Sequence, residues 1–342
     1  MISTRRSILA LPLLAGACAP EDPVTAVIAY PERSLEYAPL FLAAKAGLST
    51  DPRHRVALTQ RVSGQDVAAS IIRGFAAAGA LAMPDFIRAV ADGAPLIAIG
   101  ALTRRLDCHL VVRSGFASPI ATLVAIHLGE WRGQRIGLES GPNGTEAFIR
   151  FVSLWGERTA RPTPRQIAAL EPLSGEAQWT AFETGEALTA ALADHRVEAF
   201  MGRPYAVAQT LTLGSGMLAQ SYAAEGESHV LGALPTILVA HRDRLSIQPV
   251  LGPLVQACAR AATELSGSDA ANAAMRALPE RDGLHISMAA RLMSRGAVPN
   301  SAFAVDGKLP PDAIERYVTL SASAGRTLGL NAGALATTRF SG

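Results

Sequence analysis

The chain has 342 residues, of which 49% are hydrophobic and 18% charged, so it has enough apolar material for a large folded unit or for two lobes. This composition excludes an intrinsically disordered chain, which would be poorer in hydrophobic residues. The formal charge is only +2, and Arg5 and Arg6 lie in an N-terminal leader, so the remaining chain is nearly neutral. A neutral chain provides no strong field for binding nucleic acid.

The first 18 residues predict an export signal. Arg5 and Arg6 precede an apolar stretch over residues 8–17, which is too short to span a bilayer permanently. "TRRSIL" resembles a twin-arginine signal, and "LAGAC" resembles a bacterial lipobox, which implies that Cys18 is diacylated and becomes the mature N-terminus. A plain cleaved signal with an incidental cysteine is the alternative. Both interpretations predict that the mature chain works in the periplasm, with membrane attachment only through a lipid anchor.

Short β-rich runs alternate with segments of helical period in the first part of the mature chain. Strands are predicted over residues 24–30, 54–62, 80–85 and 95–102, with helices over 36–48 and 66–78. Apolar strands that alternate with helices predict a parallel sheet that is covered on both faces.

The same alternation restarts near Cys108. The predicted strands here cover residues 108–115, 135–140, 167–173, 197–202 and 235–242, and the predicted helices cover 145–157, 185–195, 250–265, 286–296 and 310–325. No linker of biased composition separates the two halves, so we expect the chain to cross between two lobes more than once.

Six stretches, in order, resemble the periplasmic substrate-binding proteins of ABC importers, in the branch that serves alkanesulfonates, nitrate and thiamine-pyrimidine precursors. They are "AYPERSLEYAPLFLAAKAGL", "SGQDVAASIIRG", "ALAMPDFIRAVADGAPLIAIGAL", "WRGQRIGLESGPNGTEAFIRFV", "ALADHRVEAFMGRPYAVA" and "LPPDAIERYVTLSASAGRTLGL". The resemblance implies an α/β type 2 periplasmic-binding fold, in which each of two lobes is a mainly parallel sheet flanked by helices. Two crossing hinge strands, near residues 102–114 and 232–242, would join the lobes.

In that arrangement residues 22–108 and 236–342 form the first lobe, and residues 109–235 form the second, after the export signal at 1–18. Ligands of such folds lie beyond the carboxyl ends of the parallel strands. The candidate ligand-binding residues at those ends are Tyr30, Tyr37, Ser63, Gly64, Gln65, Met83, Pro84, Asp85, Ser140, Asn143, Gly144, Thr145, Arg203 and Tyr205.

The glycine-rich turn in "ESGPNGTEAF" is the most distinctive of these features. Its backbone N–H groups at a helix start suit an anionic or strongly hydrogen-bonding ligand, although any strand-to-helix junction needs such a turn. Arg203 suits a carboxylate, sulfonate or phosphate, with a structural salt bridge as the alternative. Asp85 either caps its own helix or meets a cationic or amide group, and Tyr30 and Tyr37 are candidate aromatic walls.

The sequence gives little support to an enzymatic function. The seven histidines form no HExxH motif, and Ser140 is out of register for a GxSxG elbow. Cys108 and Cys258 are expected to be buried free thiols, although spacing alone does not decide whether they pair. The sequence therefore predicts a monomeric protein with no cofactor or metal, which binds a small polar or anionic organic solute (sulfonate, nitrate or pyrimidine-like) between its lobes. It would deliver this ligand to a membrane permease and ATPase. A lipid-anchored sensor and an enzyme that uses the same cleft are the alternatives.

Overall fold

A computed structural model of the protein describes residues 24–47, 54–116, 133–139, 178–221, 234–294, 301–310, 312–323 and 330–340. The strands are β1 (Val24–Tyr30), β2 (His54–Gln60), β3 (Ala78–Ala82), β4 (Leu96–Ala101), β5 (His109–Arg113), β6 (Arg135–Glu139), β7 (Gln178–Phe182), β8 (Ala199–Gly202), β9 (Gly216–Ser221) and β10 (Thr236–His241). The helices are α1 (Ala38–Ala46), α2 (Gly64–Ile72), α3 (Met83–Ala91), α4 (Gly185–Ala193), α5 (Pro204–Leu213), α6 (Leu251–Ser266), α7 (Ala270–Ala277), α8 (Gly283–Met293) and α9 (Ala313–Ser323). Short 3-10 turns lie at Leu35–Tyr37, Arg242–Ile247 and Ala332–Ala334.

Two five-stranded sheets with the same topology form the two lobes. The first has the strand order β2-β1-β3-β10-β4, and the second has the order β7-β6-β8-β5-β9. In the first sheet β10 is antiparallel to both of its neighbours, and in the second sheet β5 is. The other four strands of each sheet run in one direction. This confirms the predicted two-lobed α/β architecture with mainly parallel sheets.

Helices cover both faces of the first sheet, because successive residues of its strands point to opposite sides. Ile28 belongs to an apolar cluster with residues of α1 and α6, whereas its neighbour Ala29 belongs to a second cluster with residues of α2 and α3. The second sheet has its own core, in which Phe200 packs with residues of α4 and α5. Each sheet is therefore the centre of a separate hydrophobic core, as expected for two lobes.

The two chain crossings between the sheets lie against each other. The backbone N–H of Leu102 donates to the carbonyl of Thr236, and the N–H of Thr236 donates to Oγ1 of Thr103, both at 2.8 Å. The N–H of Met83, the first residue of α3, donates to the carbonyl of Pro235 at 3.1 Å. These bonds join the start of α3 to the segments that connect the sheets.

The element boundaries differ from the predicted ones at the start of α3. The strand predicted over residues 80–85 ends at Ala82, and the helix begins at Met83 with Pro84 in its first turn. Proline suits that place because the first N–H groups of a helix have no partner in the helix. The helix and strand predicted over 145–157 and 167–173 lie outside the described residues. Among the described residues, no helix is both long and apolar enough to cross a membrane.

Candidate functional site

The carboxyl ends of parallel strands from both sheets face the junction between the lobes. In the first lobe β1 leads into a loop with Glu32, and β3 leads into the first turn of α3, which holds Asp85. In the second lobe β6 ends at Glu139, and β8 leads to Arg203, which precedes α5. Charged residues placed directly after buried strands therefore meet where the general rule for α/β sheets places ligands.

Arg203 links the two lobes. Its Nη2 lies 2.5 Å from Oε1 of Glu139 in its own lobe, and its backbone N–H donates to Oε2 of the same carboxylate at 3.3 Å. Its Nη1 lies 2.5 Å from Oε1 of Glu32 in the first lobe and 3.9 Å from Oε2 of Glu36. A single buried guanidinium thus holds carboxylates from both sides of the cleft.

Charge and burial oppose each other in this cluster. Burial raises the pKa of Glu139, but the charge and hydrogen bonds of Arg203 outweigh it and hold that pKa below its usual range. Burial lowers the pKa of Arg203, but its three carboxylate neighbours keep the pKa well above the ordinary value. Glu36 differs, because burial together with the nearby charge of Glu32 raises its pKa in spite of Arg203. The pair of Arg203 and Glu139 is therefore ionised, whereas Glu36 takes up a proton more readily.

Tyr37 lies at the centre of the same cluster. Its side chain is fully buried, and burial together with the negative charges of Glu32, Glu36 and Asp85 raises the pKa of its phenol well above the usual value. Glu32 and Glu36 belong to the connection between β1 and α1, and Asp85 belongs to the first turn of α3. Tyr37 is therefore a neutral phenol in the neutral pH range, surrounded by acidic groups.

Asp85 is buried in the first turn of α3, with 7% of its surface exposed. Burial raises the pKa of Asp85 to about 6, while the charge of Arg88, whose Nη1 lies 3.6 Å from Oδ1, opposes the rise. The other oxygen, Oδ2, accepts no hydrogen bond and faces Gly64. A methyl group on Gly64 would lie 2.5 Å from Cγ of Asp85, so the first turns of α2 and α3 approach closely only because this residue is glycine.

A further carboxylate, Asp107, lies in the segment that connects β4 to β5. Its side chain has no exposed surface, and its nearest cationic group is Nε of Arg105, 3.6 Å from Oδ1. Burial raises the pKa of Asp107 to about 7, Arg105 opposes this, and the charge of Glu36 adds to it. Neither carboxylate oxygen accepts a hydrogen bond. A buried polar group without a hydrogen-bond partner is unusual and needs a physical explanation.

Four of the predicted ligand-binding residues belong to this cluster, namely Tyr37, Gly64, Asp85 and Arg203. Met83 and Pro84 are buried beside Asp85 in the first turn of α3. The structure thus brings together residues from three separate predicted turns.

Other predicted residues have identifiable structural roles. Ser63 caps α2, since its Oγ accepts from the N–H of Asp66 at 3.2 Å and donates to the carboxylate of the same residue at 2.8 Å. Gln65 is exposed on the first turn of α2. Tyr30 packs edge-on against Phe41, with the ring centroids 5.0 Å apart, in the core of the first lobe.

Tyr205 lies on α5 and contacts the C-terminal helices. Its ring lies edge-on to that of His285 at 6.1 Å, and the guanidinium of Arg281 lies 4.9 Å from its centroid. Arg281 also pairs with Glu186 of α4 at 2.6 Å, which forms a second and more exposed link between the lobes.

The structure does not describe the glycine-rich turn or the N-terminal leader. Ser140, Asn143, Gly144, Thr145 and Cys18 lie outside the described residues. Their roles stay predictions.

Sequence reasoning missed three carboxylates of the cluster, Glu32, Asp107 and Glu139. A signal for Glu139 was present, because an acidic residue at the end of the apolar run "RIGL" is costly to bury without a partner. Glu32 follows β1 by two residues in the same way. Asp107 gave no such signal, since its burial depends on how the two crossing segments pack.

The thiols of the described residues are poorly suited to nucleophilic chemistry. Cys108 and Cys258 are both buried and free. Burial raises the pKa of Cys258 to about 12 and that of Cys108 further still, whereas a reactive cysteine has a lowered pKa. Within the described part of the chain, no group of three or more His, Cys, Asp and Glu side chains is arranged to hold a metal ion.

Solved structures share this fold. The alkanesulfonate-binding protein SsuA from Xanthomonas axonopodis pv. citri, bound to MOPS, is 18% identical with a TM-score of 0.59, over 92% of this chain and 99% of that one. The periplasmic nitrate-binding protein NrtA from Synechocystis PCC 6803 is 14% identical with a TM-score of 0.61, over 93% and 87%. The desulfurization enzyme DSZB is 14% identical with a TM-score of 0.58, over 92% and 97%.

These similarities establish the fold of periplasmic binding proteins, as the sequence motifs predicted. No protein-family model and no curated protein sequence matches the chain. Identities this low do not transfer a ligand from one protein to another, and the fold is used both for binding and for catalysis.

Proposed function

We propose that this protein is an extracytoplasmic solute-binding protein of an ABC importer, which captures a small polar organic solute between its two lobes. The observation that carries the proposal is the buried polar cluster around Arg203, which joins Glu32 of the first lobe to Glu139 of the second. Two α/β lobes that meet through buried charged groups, with crossing segments between them, are suited to hinge closure around a ligand.

Binding without chemical change fits the described side chains better than catalysis. The fold of DSZB makes an enzyme the alternative, but the two described cysteines are buried with raised pKa values. Burial explains the raised pKa values of Asp85 and Asp107, so these values do not by themselves indicate a catalytic acid or base.

The proposed cellular context follows from the leader. A lipidated Cys18 would hold the mature monomer at a membrane surface on the periplasmic side, where a permease and its ATPase would accept the ligand. Replacing Cys18 with serine tests the anchor: we expect the wild-type protein to fractionate with membranes and to carry the mass of two acyl chains, and the C18S protein to carry none. An unmodified wild-type protein would contradict lipidation without affecting the proposed binding function.

The binding function is tested by thermal unfolding of the mature chain, without residues 1–18, against sulfonates, nitrate, pyrimidines, amino acids, carboxylates and flavins. A ligand that binds only the folded state raises the midpoint, and at a hundred times its Kd it stabilises by about 2.7 kcal/mol. We expect one chemical class to raise the midpoint and to be recovered unchanged by mass spectrometry. If no compound raised the unfolding midpoint, the proposal would be contradicted. If the bound compound were consumed, the enzymatic alternative would be favoured.

A further inference from the structure

The described part of the cleft carries more acidic than basic side chains. Five carboxylates lie within electrostatic range of one another, and Arg105 and Arg203 are the cationic groups buried among them. The carboxylates are Glu32, Glu36, Asp85, Asp107 and Glu139. This surplus of negative charge would repel a negatively charged ligand and weaken its binding.

The charge of Arg203 is already balanced by carboxylates of the protein. Both of its terminal nitrogens contact carboxylates at 2.5 Å, one in each lobe, and only Nε has no hydrogen-bond partner. A guanidinium has five N–H groups, so an anion that uses Nε and the remaining hydrogens would bind beside the like charges of Glu32 and Glu139, which oppose it. Displacing Glu139 would leave a buried carboxylate without its counter-charge, which is strongly unfavourable.

An unpartnered acceptor remains in the same cluster. Oδ2 of Asp85 accepts no hydrogen bond, although the residue is only 7% exposed, and it lies against Gly64 at the start of α2. Asp107 is also buried, but Nε of Arg105 lies 3.6 Å from its Oδ1 and supplies a positive partner. A buried acceptor without a donor indicates a missing hydrogen-bond donor, and the surrounding negative charge favours one that is positively charged.

We propose that the ligand of this cleft is an organic cation, an amidinium, guanidinium or primary ammonium compound, and that Asp85 accepts its N–H groups. This inference rests on the proposed solute-binding function and specifies the chemical class of the solute. A cationic ligand would differ in charge from the ligands named for the sulfonate- and nitrate-binding proteins that share this fold.

The test compares probes of matched shape and opposite charge at pH 8. The cations are benzamidine, guanidine and propylamine, and their anionic counterparts are benzenesulfonate, nitrate and propanesulfonate. Guanidinium and nitrate are both planar and three-fold, so charge is the main difference within that pair. We expect at least one cation to raise the unfolding midpoint of the mature chain and none of the anions to do so. Calorimetric titration then gives the Kd of each probe that binds.

Isosteric variants locate the binding. Asp85→Asn removes one charge from the proposed site, and we expect at least a tenfold weaker Kd for the cation that binds. Asp269→Asn is the matched control, because Asp269 is an exposed carboxylate outside the cleft. Circular dichroism of the unliganded variants checks folding, and Glu36→Gln, which neutralises another acid of the cluster, provides a second cleft variant.

The outcomes separate this inference from the proposed function. Binding of an anion in place of a cation, or an unchanged Kd in both cleft variants, would overturn the cationic ligand and leave a solute-binding protein. To cover ligands outside the panel, the mature chain is also incubated with a periplasmic small-molecule extract and analysed by native mass spectrometry. Capture of a cation supports the inference, capture of an anion overturns it, and no binding to any probe or extract would overturn both proposals.

Discussion

Replacing Arg203 with methionine is the sharpest test of the buried cluster. The substitution keeps most of the side-chain volume but leaves Glu139 buried without a counter-charge and also removes the inter-lobe contact to Glu32. A charge pair about 4 Å apart is worth on the order of 4 kcal/mol at an effective dielectric constant near 20. Removing one partner of a buried pair costs about 3–5 kcal/mol. We therefore expect R203M to lose about 3–5 kcal/mol of unfolding free energy at pH 7.5.

The effect should depend on pH with a defined sign. In the wild type the pKa of Glu139 is held below its usual range, so the stability it contributes is present above the unfolded pKa and is lost as the pH falls through the folded value. In R203M the burial of Glu139 acts without Arg203 and against only the weaker effect of the Arg281 charge, so the pKa of Glu139 rises and its ionised form destabilises the variant most at neutral pH. The difference between the two proteins should therefore shrink when both are measured at pH 5.

Urea denaturation, followed by circular dichroism and tryptophan fluorescence at pH 5 and pH 7.5, measures these differences. Arg276→Met is the matched control, since Arg276 also contacts two carboxylates, Glu264 and Asp269, but with about half of its side chain exposed. Exposed pairs contribute about 0–1 kcal/mol, so R276M should lose no more than that. Equal losses in R203M and R276M, or a loss in R203M that does not change with pH, would refute the buried ion pair as the origin.

Three further predictions concern single positions. Asp107→Asn should stabilise the protein by about 2–4 kcal/mol at pH 8.5 and by about 1 kcal/mol at pH 5, measured by urea denaturation. Burial raises the pKa of Asp107 to about 7 in the folded state, so the cost of the wild-type carboxyl group grows from the unfolded pKa up to that value; equal effects at both pH values would contradict this. Gly64→Ala should lower the free energy of unfolding by about 1–3 kcal/mol, because the added methyl group forces the carboxylate of Asp85 to move. Gly252→Ala is the control: its added methyl group has room, so it should be neutral or slightly stabilising. A neutral G64A would show that the contact can relax. Cys108 should react with Ellman's reagent only after unfolding, since its thiol is buried with a raised pKa, and rapid native labelling would reopen the enzymatic alternative.

The fold was predictable because its elements carry strong local signals. The apolar strands β1, β3, β4 and β10 and the long helix α6 are continuous or periodic in the sequence, and the predicted boundaries differ from the observed ones by a few residues. Strands β7 and β9 and helices α5 and α7 were missed. The sequence of β7 is "QWTAF", whose side chains are exposed or half-buried, so its only strand signal is the pairing with β6 that folding provides.

The sequence predicted several residues that the structure brings together, but not the balance of charge among them. Gly64, Asp85 and Arg203 could be proposed as ligand-binding residues from the sequence alone because each lies in a turn that follows a strand, and their role in binding stays a prediction. The sequence could not show that the guanidinium of Arg203 is already occupied, because its partners Glu32 and Glu139 lie 171 and 64 positions away along the chain. An arginine beside a cleft predicts an anion only if no carboxylate of the protein reaches it first.

The ion pairs between the lobes also constrain how any ligand can bind. A cation that binds at Asp85, as proposed, leaves the contacts of Arg203 with Glu32 and Glu139 intact. An anion that displaces Glu139 from Arg203 leaves a carboxylate buried without its partner, at a cost of about 3–5 kcal/mol. That cost corresponds to about two to four orders of magnitude in Kd. An anion that uses the remaining N–H groups of Arg203 instead lies beside the charges of Glu32 and Glu139, which oppose it. The salt bridges of Arg203 therefore support the proposed cationic ligand over an anion.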